Sequence, residues 1–272
     1  MSWQDRDGAP FGQQVWDRID EAIGAAAAEA RAGRRLLRVV GPLGFDARAG
    51  VAEDAPAGGE DEPGAGDETH VHVPSVRALP VLHRTFRLGA RAVEALERRG
   101  EPLTLTEAAE AARRIARAED RLLFEGHAGA GVRGLLDHPG LVEVPAGDWA
   151  DPGRAGDALL AALAALDAAG RHGPYAAAVS PARFYQLFRP FPGTALTPYQ
   201  QLLPAFEGGI VKAPGLRDGA VVVVRSASGP QAVVGQELTA AYDGREGIFH
   251  LVSLAESVTL LPGAPGSVAV VR

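Results

Sequence analysis

The chain has no cysteine, which excludes disulfide bridges, a thiolate nucleophile and cysteine-ligated zinc, and suits a reducing compartment. It also has no apolar run approaching the roughly 18 residues of a membrane span. The opening MSWQDRDGAP lacks the basic region and apolar stretch of a secretion signal. A soluble, cytoplasmic protein is expected. A basic excess is missing too: 27 Lys and Arg stand against 34 Asp and Glu, for a net charge of −7. Without a Lys/Arg stripe interleaved with aromatics, the electrostatic footprint of a nucleic-acid binder is absent.

What is present is a chain of 272 residues, 46% hydrophobic, long enough to bury a large core in one domain or two lobes. Its acidity is local. EDAPAGGEDEPGAGDE, 53–68, holds Glu53, Asp54, Glu60, Asp61, Glu62, Asp67 and Glu68 and no Lys or Arg, so the remainder balances at 27 of each sign. The Gly/Pro/acid-rich stretch 47–69 has too little apolar surface to order itself and reads as a long exposed excursion.

Val15, Trp16, Ile19, Ala22, Ile23 and Ala26 recur at helical spacing, and Gly33 follows, which predicts an amphipathic helix over about 13–31. LLRVV, 36–40, reads as a short strand ended by Gly41-Pro42. HVHVPSVRALPVLHRTFRL, 70–88, is extended, and Pro74 and Pro80 confine it to edge or two-stranded pairing. Thr104-Leu105-Thr106-Glu107 has capping-box spacing, followed by the period of a long helix, 105–124. ALLAALAALDAAG, 158–170, predicts a second long helix, and Ser180-Pro181 opens a short third. YAAAV (175–179), GIVKA (209–213), AVVVVR (220–225), QAVV (231–234) and IFHLVSL (248–254) read as strands between Gly/Pro turns, so the fold class is α+β.

Signals of catalysis are weak. Gly129-Ala130-Gly131-Val132-Arg133-Gly134 is a literal G-x-G-x-x-G, but a helix enters it and none follows, the reverse of a dinucleotide site. His70 and His72 share one strand face and make two metal ligands, which is not a site. Ser226 and Ser228 in RSASGP lie in no nucleophile elbow. Glu119, Asp120 and Arg121 offer acid/base groups, yet three consecutive charges near a helix end read more simply as a solvated or salt-bridged face.

Six segments in order carry a more specific signal. VWDRID, GRRLLRVVGPLGFD, the arm with VRALP and TFRL, AEDRLLFEGHAGAGVRGLL, GPYAAAV and VVGQELTAAYDGRE together resemble the encapsulin shell proteins along nearly the whole chain. The family patterns are W-x-x-I-D, G-R-x-x-V-D-x-x-G-P-x-G-W-E, a Leu-Pro arm ending in T-F, E-D-x-x-I-F-x-G-x-x-x-x-G-I-x-G-L, G-P-Y and G-Q-D-L-x-x-x-Y. Gly44-Phe45-Asp46 stands where the family has G-W-E, Arg38 stands where many relatives carry Asp, and the arm between Pro80 and Phe86 is about two residues short.

The resemblance implies the fold of tailed-phage major capsid proteins, the HK97 type, with a spine-helix domain, an axial domain and an extended loop. On that basis 1–35 holds an N-terminal luminal helix, 36–133 and 236–272 a peripheral domain with the extended loop at about 47–85, and 134–235 the axial domain. It implies a non-enzymatic chain whose partners are itself, in a T=1 icosahedral shell, and a cargo enzyme captured by its C-terminal targeting peptide. Ile19, Ile23, Leu238 and Tyr242 would supply apolar contacts to that peptide, with Arg34 and Arg38 supplying charge. Arg189, Pro190, Phe191 and Pro192 fall in the segment that would line the pore. The aromatic that holds a flavin in some relatives is absent from GARAVEALE, 89–97, so no cofactor is carried over. The alternatives are a prophage major capsid protein, against which the cargo-type helix and the lack of a scaffold-like segment argue, and a soluble enzyme built around Glu119 and His127.

Overall fold

The computed structural model describes the backbone of residues 6–56 and 72–272, with side chains over the same stretches except 51–56 and 72–75. Helix α1 spans Gln13–Ala30 and buries Val15, Trp16, Ile19, Ile23, Ala26 and Ala27, the stripe its periodicity requires. A single turn, α2 (Gly33–Leu36), follows, and the strand expected over 36–40 is β1 (Arg38–Val40). Next come β2 (Ala49–Pro56), β3 (His72–Ala78), β4 (Val81–Gly89), α3 (Ala90–Arg99) and the long helix α4 (Thr106–Glu125). The expected capping box at Thr104 does not form: Leu105 is the N-cap without a side-chain bond, and the Glu107 carboxylate instead accepts from the Arg87 N–H at 3.4 Å.

The glycine stretch after α4 is a small ladder, β5 (Gly126–His127) against β6 (Val132–Arg133), closed by a 3-10 turn. A Cβ on Gly134 would lie 2.4 Å from Gly126 N and from Phe124 O. Gly134 is there to let backbones touch, and the dinucleotide motif is a coincidence of letters. The second half of the chain contains β7 (Val142–Val144), α5 (Pro152–Ala168), β8 (Tyr175–Val179), α6 (Pro181–Gln186) and α7 (Pro198–Leu202). It continues with β9 (Ile210–Lys212), β10 (Ala220–Val224), β11 (Gln231–Val234), β12 (Thr239–Glu246), β13 (Phe249–Leu261) and β14 (Val268–Val271).

Two five-stranded sheets organise these elements. In the first, β13 is the hub, pairing with β11, β12 and β4, while β1 lies at the far edge on β11. Helices α1, α3 and α4 cover it through a core of Trp16, Ile19, Ile23, Phe86, Ile115 and Leu254. The second sheet runs β7-β14-β10-β8-β9, with α5 on one face through Leu159, Ala162 and Leu166. Between the sheets lies a core of Leu36, Leu123, Phe124, Val221 and Val258.

Pairing redraws three of the expected boundaries. Strand β11 belongs to the first sheet and β14 to the second, whereas 231–234 was expected in the axial domain and 268–271 in the peripheral one. β14 is wholly buried between β7 and β10, a place that only a central apolar strand can fill. The stretch 47–85 expected as an extended loop also includes part of a sheet strand. β4 pairs with β13 from Val81 opposite Ser257 to Gly89 opposite Phe249 and buries Phe86 and Leu88, so 81–85 is sheet. Finally, 49–56 is a strand: β2 and β3 form a two-stranded ribbon in which Pro74 is tolerated because that ladder has only one partner. The centre of the acidic segment and His70 lie outside the described residues, as does the His72 side chain.

Candidate functional site

The junction behind α1 is built by charges. Both oxygens of Asp120 accept from the Ala32 N–H (3.0 and 2.9 Å), and Oδ1 accepts from the Gly33 N–H at 2.8 Å, so α4 caps the one-turn helix α2. Gly33 sits so close to α4 that a Cβ there would stand 2.6 Å from Leu123 Cδ1. Beside it, Glu119 and Glu256 are fully buried and share two arginines. Arg31 Nε lies 2.7 Å from Glu119 Oε2, and Arg34 Nε donates to Glu119 Oε1 at 2.6 Å. Arg34 also reaches Glu256 at 3.2 Å and Glu237 at 2.5 Å, and Arg31 bonds Glu256.

Burial and the neighbouring Glu119 push the Glu256 carboxyl up to about 8, against the pull of Arg31 and Arg34. Burial also raises Asp120 to about 6, opposed by the hydrogen bonds it accepts from the Gly33 and Ala32 amides. Burial alone would lower the pKa of Arg34, but Glu119, Glu256 and Glu237 more than offset it and hold the guanidinium charged. Glu119 and Asp120 are therefore a buried structural network, the salt-bridged form of the expected charged face and not its solvated form. Helical phase contained the signal, since Glu119 lies four residues after Ile115 and four before Leu123 on the buried stripe.

This geometry corrects the expected roles of several groups. Arg34 does not face an incoming peptide as a free charge, because three carboxylates already engage it. Ile19 and Ile23 are 0% and 2% exposed inside the protomer's own core and hold α1 down. Arg38 is exposed on the edge strand β1 and makes no ion pair among the described residues. The acids that could have engaged it are taken: Asp20 holds Arg6 through two bonds of 2.7 Å, and Glu21 lies 3.7 Å from Arg18. Leu238 and Tyr242 are half-buried on the same core, and the Phe11 ring meets Tyr242 edge-on at 5.9 Å and Trp16 at 5.1 Å. The segment Arg6–Phe11, which sequence reasoning did not single out, thus seals the wall between α1 and β12, with Arg6 Nε donating to the Ala240 carbonyl at 3.0 Å.

Residues 188–197 form a largely exposed turn between α6 and α7, anchored by the buried Leu187. The Arg189 N–H bonds the Gln186 carbonyl at 3.1 Å and the Phe191 N–H bonds the Leu196 carbonyl at 2.9 Å, with Pro190 and Pro192 exposed between them. Arg189 is exposed and has no ion pair among the described residues. Beside this turn Phe188 stacks on Tyr199 at 4.7 Å, and Phe184 meets both rings edge-on, leaving Tyr185 and Phe188 61% and 47% exposed. Among the described residues no cluster of three His, Cys, Asp or Glu is placed to hold a metal ion, and no helix is long and apolar enough to cross a membrane.

A long helix packed on one sheet, a second sheet covered by its own helix and a separate two-stranded ribbon define a shell-forming protein of the tailed-phage capsid fold. Solved structures share it. A virus-like particle from Pyrococcus furiosus superposes with a TM-score of 0.75 at 19% identity, covering 95% of this chain and 100% of that one. The capsid of Myoviridae phage XM1 gives 0.60 at 15% identity, over 86% and 88% of the two chains. The family model Linocin_M18, encapsulating protein for peroxidase, matches residues 1–259. The type 1 encapsulin shell protein EncA of Myxococcus xanthus is 30% identical over 261 residues, 92% of this chain and 90% of the relative. That of Rhodospirillum rubrum is likewise 30% identical over 261 residues, 93% and 90% of the two chains. The chain belongs to the encapsulin family: it is a structural shell protein, and not an enzyme, that builds a capsid-like particle.

Proposed function

We propose that copies of this chain close into a T=1 icosahedral compartment in the cytoplasm, and that the compartment takes in a cargo enzyme through that enzyme's C-terminal targeting peptide. The observation that carries the cargo reading is the wall between α1 and β12. Trp16, Ile19 and Ile23 fix α1 on the sheet, and Leu238 and Tyr242 remain half-buried against the same core. Ile19, Ile23 and Arg34 hold that wall in place; Leu238 and Tyr242 meet the peptide's apolar side chains, and Arg38 meets a carboxylate. Self-assembly draws on surfaces that a lone protomer leaves open: the β2–β3 ribbon, whose outer edges have no strand partner among the described residues, and the aromatic cluster around Phe188. The turn with Arg189, Pro190, Phe191 and Pro192 lines the pore. The test is to purify shells from the source cells, identify the enclosed enzyme and remove its C-terminal residues. Packaging should fall to the level of an unrelated protein, and unchanged packaging would exclude a C-terminal targeting peptide.

A further inference from the structure

Along the other side of α1, between α1 and α4, runs a groove that none of the residues above explains. One end is a recess of about 430 Å³ with small apolar walls, Ala22, Ala25 and Ala26 from α1 with Leu105 and Ala109 from the α4 end. The other is a cleft of about 640 Å³ in which Arg113, Arg117 and Arg121 line up four residues apart along α4 and Arg217 faces them from the 214–217 turn. Glu29 and Arg113 line both, so the two recesses adjoin.

The cationic end is left unanswered by the protomer. Its carboxylates are Glu29, which lies 3.9 Å from Arg113, Asp120, whose oxygens are engaged by the Ala32 and Gly33 amides, and Glu125. Among the described residues Arg117, Arg121 and Arg217 have neither an ion pair nor a hydrogen bond, whereas Arg6, Arg31, Arg34 and Arg183 each close on a carboxylate. Like charges stacked on one helix face repel, and planar guanidiniums converging on a cleft match carboxylate geometry. An isolated inorganic anion would leave the alanine-lined half empty. An extended ligand with small aliphatic side chains at one end and carboxylates at the other fits both halves.

We propose that this groove is a second binding site for the cargo tail, taking an acidic peptide whose aliphatic part lies on the alanines and whose carboxylates are held by Arg117, Arg121 and Arg217. The proposal rests on the cargo reading above and adds a site separate from the wall between α1 and β12. The probe is a fluorescent protein carrying either a tail of alternating Leu and Ala closed by three Glu, or the same tail closed by three Lys, co-expressed with the shell and counted per particle. Wild-type shells should load the Glu tail about tenfold better than the Lys tail, the equivalent of one charge-assisted contact. R117E/R121E/R217E shells should reverse that order, and R117K/R121K/R217K shells should keep it. If both tails load above the tailless protein and their ratio is the same in all three shells, the groove is overturned and the cargo reading stands. If neither loads above the tailless protein, both fail. Loss of assembly in the charge-reversed shells, with Lys shells intact and indifferent to the tail, would make the cleft a contact between copies and overturn the proposal.

Discussion

Arg34 Nε donates to Glu119 Oε1 at 2.6 Å across 85 residues of sequence, with Glu119 closed to solvent and Arg34 nearly so. This pair, doubled by Arg31, ties the end of the N-terminal helix to α4 and, through Glu256, to the hub strand β13.

Removing Arg34 leaves two buried carboxyls with Arg31 alone between them, and an uncompensated buried charge costs about 3–5 kcal/mol. Arg34→Ala should therefore lower the free energy of unfolding by roughly that amount in urea titrations followed by tryptophan fluorescence. An effect under about 1 kcal/mol, typical of an exposed pair, would show that the network carries no such weight.

The same network sets a pH dependence with a definite sign. Asp120 is raised from 3.8 to about 6 and Glu256 from 4.5 to about 8, so the folded chain holds these protons more tightly than the unfolded chain. Their contribution to stability is full below the unfolded values and is lost as pH rises through about 6 for Asp120 and about 8 for Glu256. Burial lowers the pKa of His138 and His250, which bends the curve the other way, so the readout is the difference between proteins. Glu256→Gln should flatten the loss of thermal midpoint between pH 4.5 and 8; parallel curves for the two proteins would contradict the assignment.

Helices α1 and α4 were legible because their apolar residues repeat at 3.6, and β8, β10 and β11 because they are short apolar runs between turn residues. The swap of β11 and β14 between sheets was not, since which strand pairs with which is settled by contacts across the whole chain. β2 was hidden by its composition: AGVAEDAP reads as loop until β3 supplies a partner. α2 was missed because its cap comes from Asp120, 87 residues away from Gly33. At the candidate site the resemblance grouped Ile19, Ile23, Leu238 and Tyr242 as peptide contacts, and the structure adds that they share one core, but the sequence could not tell which of two neighbouring arginines was free. That depended on Glu119 and Glu256 arriving from distant elements.

Backbone geometry at the GPLG turn is stricter than at the α2 turn. Gly41 has φ +114°, and a Cβ there would meet the Val234 carbonyl oxygen at 2.2 Å, a backbone atom that cannot step aside. At Gly33 the obstacle is the end of the Leu123 side chain. Gly41→Ala should cost about 3 kcal/mol or more, and Gly33→Ala about 1–3 kcal/mol. Chemical denaturation of the two variants side by side would reveal an inverted order if this reading of the turns is wrong.

The pore proposal is tested by charge alone. With Arg189 exposed and unpaired within the described protomer, its repetition around an axis favours small anions over cations. Arg189→Glu should invert the relative entry rates of anionic and cationic dyes into assembled shells, and identical selectivity would remove Arg189 from the pore.

Deleting 53–68 removes the last four residues of β2 and most of the chain between it and β3. Ordering so polar a segment is rewarded only at a contact between copies, so the truncated protein should stay soluble while its shells dissociate at lower guanidinium concentration. Native mass spectrometry showing identical particles of unchanged resistance would place the segment outside the interfaces.

The central claim, that this chain is a self-assembling shell, is tested most directly by cryo-electron microscopy of the purified protein alone. The account predicts uniform hollow particles with icosahedral symmetry, in which the β2–β3 ribbon of each copy lies on a neighbour and α1 faces the interior. A population of monomers or open oligomers across the concentrations and salts at which the fold is intact would contradict it.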